Sequence, residues 1–94
     1  MLQEPLDPST AKQLIRTILT TGSVSFSKHA LAEMDHDGLT AVDVTNVLRG
    51  GTVDPGENEN GSWRYRVRTA RIVVVVTFRS ETELRVVTAW RVGS

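Results

Sequence analysis

The sequence has 94 residues, of which 39% are hydrophobic and 23% charged, with no cysteine and a formal net charge of zero. This length predicts a single domain with a small core, and the lack of cysteine excludes disulfides, thiolate zinc sites and thiol nucleophiles. No apolar run approaches the roughly 18 residues of a membrane span, and the N-terminus lacks a secretory signal pattern, so we expect a cytoplasmic protein without membrane partners.

Two to three helices and one short strand are predicted in the first half of the chain. Each helix follows a residue suited to N-capping and carries apolar side chains at intervals of three and four positions. The predicted helices are 8–21, 28–36 and 41–49, which follow Asp7, Ser27 and Thr40. The alternating segment 23–26 predicts a short edge strand.

Strands dominate the second half. Residues 54–61 are rich in turn formers and predict a loop. Three strands with short connections follow, at 63–68, 71–79 and 84–92. We therefore predict one α+β domain over 1–94, with a helical part (8–49), an acidic glycine-containing loop (54–61) and an antiparallel meander (63–92). The helices are expected to pack on one face of the sheet.

The net charge of zero conceals a division along the chain. Residues 1–62 carry four basic and nine acidic residues, a net charge of −5, whereas residues 63–94 carry seven arginines and two glutamates, a net charge of +5. Arginine grips phosphate or carboxylate groups with two hydrogen bonds and stacks on bases. The composition therefore excludes a uniformly basic protein but allows one phosphate-binding side. Solvated strand faces that pair with the acidic half are the alternative.

Alternation along the strands predicts which side chains share a face of the sheet. Arg64, Arg66 and Arg68 are expected on one face of their strand, with the aromatic residues Trp63 and Tyr65 on the other. In the last strand the predicted faces are Arg85, Val87, Ala89 and Arg91 on one side and Val86, Thr88 and Trp90 on the other.

Two histidines are the remaining candidates for chemistry. His29, in the first turn of the second helix, is suited to be a general base near neutral pH, or it is an exposed residue without a role. His36 lies between two aspartates, but consecutive helix positions point in different directions. We therefore predict no metal site and no cofactor.

The pattern of motifs resembles a group of small bacterial domains of unknown function. They open with a Ser/Thr-x-His-Ala-x-x-x-Met helix, matched by residues 27–34, and close with a Val-Thr-x-Tyr-Arg-like strand, matched by residues 87–91. Residues 9–79 also resemble the MqsR-like and RelE-like mRNA interferase toxins. This resemblance implies the RelE-like microbial ribonuclease fold. It further implies an mRNA substrate, an antitoxin usually encoded beside the toxin, and contact with the ribosome in some members.

The resemblance also assigns roles to particular residues. The residues implied to be catalytic are His29, Tyr65, Arg79, Thr88 and Arg91, and those implied to bind RNA are Lys28, Arg64, Arg66 and Arg68. Cleavage without metal needs a base for the ribose 2′-hydroxyl, cations around the phosphate and an acid for the leaving oxygen. Strict alternation places Tyr65 and Arg66 on opposite faces, so a shared site requires a twist or bulge.

Three functions therefore follow from the sequence as hypotheses. The first is a metal-independent endoribonuclease toxin of a type II toxin–antitoxin system. The second is a non-catalytic module on the same fold that binds RNA or an acidic protein through its arginine face. Glu33 and Trp90, which replace a basic residue and a tyrosine of the family pattern, favour this one. The third is a structural subunit whose acidic helices dock on the basic sheet of another copy.

Overall fold

The computed structural model describes residues 2–93 as three helices and six strands. In chain order they are α1 (Pro8–Thr21), β1 (Ser23–Phe26), α2 (Lys28–His36), α3 (Ala41–Gly50), β2 (Thr52–Val53), β3 (Glu57–Glu59), β4 (Ser62–Arg68), β5 (Ile72–Phe78) and β6 (Glu83–Arg91). The α+β class and the three helices are confirmed. None of the helices in the described range could span a membrane.

The helices begin where capping residues satisfy their first free N–H groups. The Asp7 carboxylate accepts from the backbone N–H of Thr10, and the Ser27 hydroxyl accepts from that of Ala30. Thr40 and Asp43 form a reciprocal capping box at the start of α3.

The sheet is mixed rather than purely antiparallel. Its order is β1-β6-β5-β4-β2, and β3 also pairs with β4. β1 runs parallel to β6, with Ser23 opposite Glu83 and Phe26 opposite Val86. The other pairs are antiparallel. The antiparallel meander predicted over 63–92 is therefore confirmed in β4, β5 and β6. β1 is an edge strand as predicted, but its parallel pairing with β6 makes the whole sheet mixed rather than antiparallel.

The core lies between the helices and one face of the sheet, which we call the inner face. Its largest fully buried side chains include Ile15 and Ile18 from α1, Leu48 from α3, and Tyr65 and Val67 from β4. Alternate residues of β5 divide between the two faces. Val74 and Val76 join this core, whereas Val73 and Val75 lie on the opposite face, which we call the outer face.

α2 continues along the edge of β6 beyond the point where β1 ends. The Ser27 hydroxyl donates to the Val87 carbonyl at 2.9 Å, and the Asp37 carboxylate accepts from the Arg91 N–H at 2.8 Å. These contacts satisfy backbone groups that a neighbouring strand would otherwise bind. α2 thus protects the part of the β6 edge that β1 leaves uncovered.

Candidate functional site

The outer face of the sheet carries two rows of side chains that cross three strands. In cross-strand register, Val75 lies between Arg66 and Thr88, and Val73 lies between Arg68 and Trp90. Both valines are only 8% exposed. The helices do not cover them, since the buried residues of the helices belong to the core on the inner face. The arginine, threonine and tryptophan side chains therefore surround a small apolar floor.

A groove of about 260 Å³ opens on this face. Its lining comes from four strands and comprises Glu57, Glu59, Arg64, Arg66, Val75, Thr88 and Trp90. The groove thus combines two carboxylates, two guanidinium groups, one hydroxyl and one indole ring. We take this groove as the candidate functional site.

Each arginine of β4 that faces outward is paired with an acidic residue from the preceding segment. Arg64 lies 3.3 Å from Glu59, and Arg66 lies 3.9 Å from Glu57. Next to the groove, both oxygens of Asp54 accept from Nε of Arg68, and this hydrogen bond raises the pKa of the guanidinium. The prediction that the three arginines share one face of β4 is confirmed. Their positive charges are partly neutralised by the neighbouring carboxylates.

The acidic residues of the groove come from a hairpin within the predicted loop. β3 pairs with β4 so that Glu57 lies opposite Arg64, and the turn between the strands is formed by Asn60 and Gly61, both with positive φ. Asn-Gly is the preferred pair for a two-residue hairpin turn. The loop prediction for 54–61 is therefore wrong over 57–59, and sequence reasoning missed Glu57 and Glu59 as site residues.

A glycine allows this hairpin to approach β4 closely. A Cβ atom on Gly56 would lie 2.8 Å from Cε2 of Tyr65 and 3.4 Å from Cε3 of Trp63. The 2.8 Å contact would not occur without movement of the Tyr65 ring, whereas the 3.4 Å contact with Trp63 is an ordinary one. Gly56 therefore lets the chain cross the Tyr65 ring before β3 begins.

A bulge in β6 brings Thr88 to the groove. Val75 pairs with Thr88 but Val76 pairs with Val86, so Val87 is the extra residue. As a result, Val86 and Ala89 both lie in the inner core. The predicted faces of the last strand, with Val87 and Ala89 together and Val86 on the other side, are wrong for this reason.

Tyr65 lies on the inner face and is fully buried. Its hydroxyl accepts from the Leu6 N–H at 2.9 Å and donates to the Glu4 carboxylate at 3.0 Å. Burial raises the pKa of Tyr65 to about 12, and the carboxylate of Glu4 acts in the same direction. The structure does not bring Tyr65 together with Arg66, because β4 keeps regular alternation there.

Arg91 is also occupied away from the groove. Its guanidinium donates to the backbone carbonyls of Asp37 at 2.8 Å and Gly38 at 3.3 Å, at the end of α2. Cations at this end of a helix satisfy free carbonyl groups and the helix dipole. Arg91 thus makes a helix-capping contact at the end of α2 and lies outside the lining of the groove.

The other predicted residues lie outside the groove. Lys28 and His29 are exposed in the first turn of α2, and among residues 2–93 no hydrogen bond or ion pair involves the His29 ring. Arg79 is exposed just after β5, four residues from Val75, which is about 13 Å along a strand. Of the nine predicted site residues, the groove brings together Arg64, Arg66 and Thr88.

No metal cluster is present in the described part of the chain, where no three histidine or acidic side chains converge. His36 lies 2.8 Å from Asp37, whose carboxylate raises the pKa of this exposed imidazole. The groove itself offers a mixture of donors and acceptors, which is suited to a polar organic ligand with an anionic group.

Comparison with known proteins identifies the family. Residues 26–91 match a domain of unknown function, DUF4258. No curated protein and no solved structure matches the chain. The matched region covers more than two thirds of the sequence and runs from the last residue of β1 to the last residue of β6, so it includes α2, α3 and the whole groove. The chain therefore belongs to the DUF4258 family.

Proposed function

We propose that this protein is a module that binds single-stranded RNA on the outer face of its sheet. One observation carries the proposal: the groove holds two arginines and a threonine beside Trp90 on an open sheet face. Single-stranded RNA is commonly held by aromatic rings that stack on bases and by cations that contact phosphates. In this arrangement Trp90 stacks on a base, and Arg64 and Arg66 bind the adjoining phosphates.

The ion pairs of the groove are compatible with this role. Glu57 and Glu59 have side chains that are 72% and 60% exposed. Exposed pairs of this kind contribute about 0–1 kcal/mol each, so a phosphate can replace the carboxylate on either arginine at small cost.

Binding is favoured over cleavage by the positions of the proton-transfer candidates. Tyr65 is buried on the inner face with a raised pKa, and His29 belongs to α2 rather than to the groove. The groove therefore contains phosphate-binding groups without either predicted proton carrier.

The test is fluorescence anisotropy with a labelled single-stranded RNA. We expect saturable binding by the wild-type protein and at least about fivefold weaker binding by Arg64→Ala/Arg66→Ala and by Trp90→Ala, since stacking alone contributes ~1–3 kcal/mol per base. Arg49→Ala is the matched control, because it removes an exposed arginine from the end of α3. Equal losses for the control and the groove variants would contradict the proposal.

An endoribonuclease toxin with a RelE-like fold, acting on mRNA and neutralised by an antitoxin, is the second candidate. Three helices against one face of a sheet, and an exposed His29 at the start of α2, favour it. In this mechanism His29 removes the proton of the ribose 2′-hydroxyl, and the 2′-oxygen bonds to the phosphorus as the bond from phosphorus to the 5′-oxygen breaks. The leaving oxygen takes a proton from water, so the products are a cyclic phosphate and a 5′-hydroxyl end.

Mapping of RNA ends after incubation separates the two candidates. Cleavage with 5′-hydroxyl ends that disappears in His29→Ala supports the toxin, as does growth arrest on expression that the same substitution relieves. RNA that is bound but remains intact supports the binding module.

A further inference from the structure

We infer that Glu57 and Glu59 select the base that enters the groove, with a preference for guanine. This inference rests on the proposed function, because it concerns which RNA the groove accepts. Both carboxylates lie at the groove beside the arginines that would bind phosphate, with Glu59 3.3 Å from Arg64 and Glu57 3.9 Å from Arg66.

The first step is an exchange of partners. A phosphate that binds Arg66 takes the place of Glu57, whose contact at 3.9 Å is the longer of the two ion pairs in the groove. The displaced carboxylate then lies beside a polyanion, which is unfavourable unless it finds new hydrogen-bond donors. A ligand that supplies N–H groups at this point removes the penalty.

The four RNA bases differ in how many hydrogen-bond donors they can offer to a carboxylate. Guanine presents the N1–H and N2–H groups side by side, which match the two oxygens of one carboxylate. Adenine and cytosine each present one amino group beside an acceptor nitrogen, and uracil presents one N–H between two carbonyl oxygens. Carboxylates only accept when ionised, so the expected order is guanine, then adenine and cytosine, then uracil.

The surroundings of the carboxylates fit this order. Val75 and Trp90 provide an apolar floor and a flat ring, which favour the larger surface of a purine. The Thr88 hydroxyl and the guanidinium groups remain available for the sugar and phosphates. Base recognition and phosphate binding thus fall to different side chains of one groove.

The experiment uses eight-nucleotide uridine RNAs that carry guanosine, adenosine, cytidine or inosine at one central position. We expect the guanosine RNA to bind at least about fivefold more tightly than the all-uridine RNA, the low end for a bidentate contact to a base. Inosine, which lacks the N2 amino group, is expected to lose most of that preference.

The Glu57→Gln/Glu59→Gln variant tests the residues themselves. We expect its preference for guanosine to fall below about twofold, while its affinity for the all-uridine RNA rises because the arginines lose their competitors. Glu33→Gln/Asp35→Asn is the matched control, since it removes two charges from α2 and should keep the guanosine preference.

The outcomes distinguish this inference from the proposed function. Wild-type binding without a base preference, or an equal preference for inosine, overturns the inference and leaves the binding module intact. A guanosine preference that survives in Glu57→Gln/Glu59→Gln also overturns it. Absence of RNA binding by the wild-type protein overturns both. The inosine comparison uses unmodified protein, so it holds even if the variant folds poorly.

Discussion

Tyr65 joins the N-terminal segment to the sheet through a single hydroxyl group. The hydroxyl bonds both Leu6 and Glu4, and the ring packs against Phe78 with centroids 5.3 Å apart. It is the only tyrosine in the sequence, so its ionisation can be observed directly. Its buried position makes it a structural residue of the core rather than a proton carrier.

The ionisation of Tyr65 predicts a loss of stability in strong base. Its pKa is raised from 10.0 to about 12, so the folded state holds the proton more tightly than the unfolded state. This contribution, on the order of 2 kcal/mol, is fully present below pH 10 and is lost as the pH rises to about 12. Phenolate absorbance should give a midpoint near 12, and urea unfolding should show the decline. A midpoint near 10 would contradict the buried hydroxyl.

Tyr65→Phe isolates the hydrogen bonds from the ring. We expect this variant to remain folded, because the ring contact with Phe78 is kept, and to lose about 1–2 kcal/mol of unfolding free energy at pH 7. Its stability should also change less than that of the wild type between pH 10 and 12. Urea unfolding at the three pH values measures both effects.

The alternation of side chains between the two faces of a strand explains how much of the site could be predicted from the sequence. Alternation along β4 correctly placed Arg64, Arg66 and Arg68 together and opposite Tyr65, since that strand is regular. The same rule failed in β6, where the bulge at Val87 shifts every later residue to the other face. Nothing in the local sequence of β6 marks a bulge, because all the residues around it suit a strand.

The hairpin formed by β3 and β4 is the element that completes the groove. The Asn60-Gly61 pair forms its turn with the required positive φ at both residues, whereas only a loop was predicted over 54–61. The parallel pairing of β1 was less predictable, because it depends on where α1 returns the chain and not on the four residues of the strand. Local turn chemistry can be read from sequence, whereas pairing between distant segments cannot.

Gly61 is expected to be the most sensitive position of that hairpin. Its φ of +85° is unfavourable for a residue with a side chain, so Gly61→Ala should cost about 1 kcal/mol and weaken RNA binding through displacement of Glu59. Gly50→Ala is the matched control, because a Cβ there meets no atom within 4 Å. Chemical unfolding should show the control unchanged or slightly more stable. Equal destabilisation of both would contradict the turn geometry.

The contact between Asp37, at the end of α2, and the edge of β6 can be tested by substitution. Asp37→Ala removes the acceptor of the Arg91 N–H, so the β6 edge should exchange its amide hydrogens faster and the thermal midpoint should fall. The Arg91 N–H lowers the pKa of Asp37 below its usual value, so the wild type loses this contribution as the pH falls through that lowered pKa. The midpoints of the two proteins should therefore converge in acid. A constant difference would show that the charge is not involved.

Charge separation along the chain becomes charge pairing in the folded molecule. Asp54, Glu57 and Glu59 belong to the acidic half of the sequence, and they contact three of the seven arginines of the basic half. The remaining outward-facing cation of the sheet, Arg85, lies in register with Thr77. The division of charge was visible in the sequence, but its partial cancellation on one face was not, because it depends on the β3 hairpin.

For the molecule as a whole, the small number of arginines at the groove predicts that RNA binding depends only moderately on salt concentration. Each phosphate contact to single-stranded RNA contributes about −0.7 to the slope of log K against log salt concentration. The two arginines of the groove, Arg64 and Arg66, predict a slope of about −1.4. Arg66→Ala should reduce it to about −0.7, and Arg49→Ala, at the end of α3, should leave it unchanged. Anisotropy titrations across a series of potassium chloride concentrations measure the slope.

A slope near zero would show that the arginines do not bind phosphate. A slope much steeper than about −1.4 would show that cations other than Arg64 and Arg66 take part, because two phosphate contacts release only about that many counterions from the RNA.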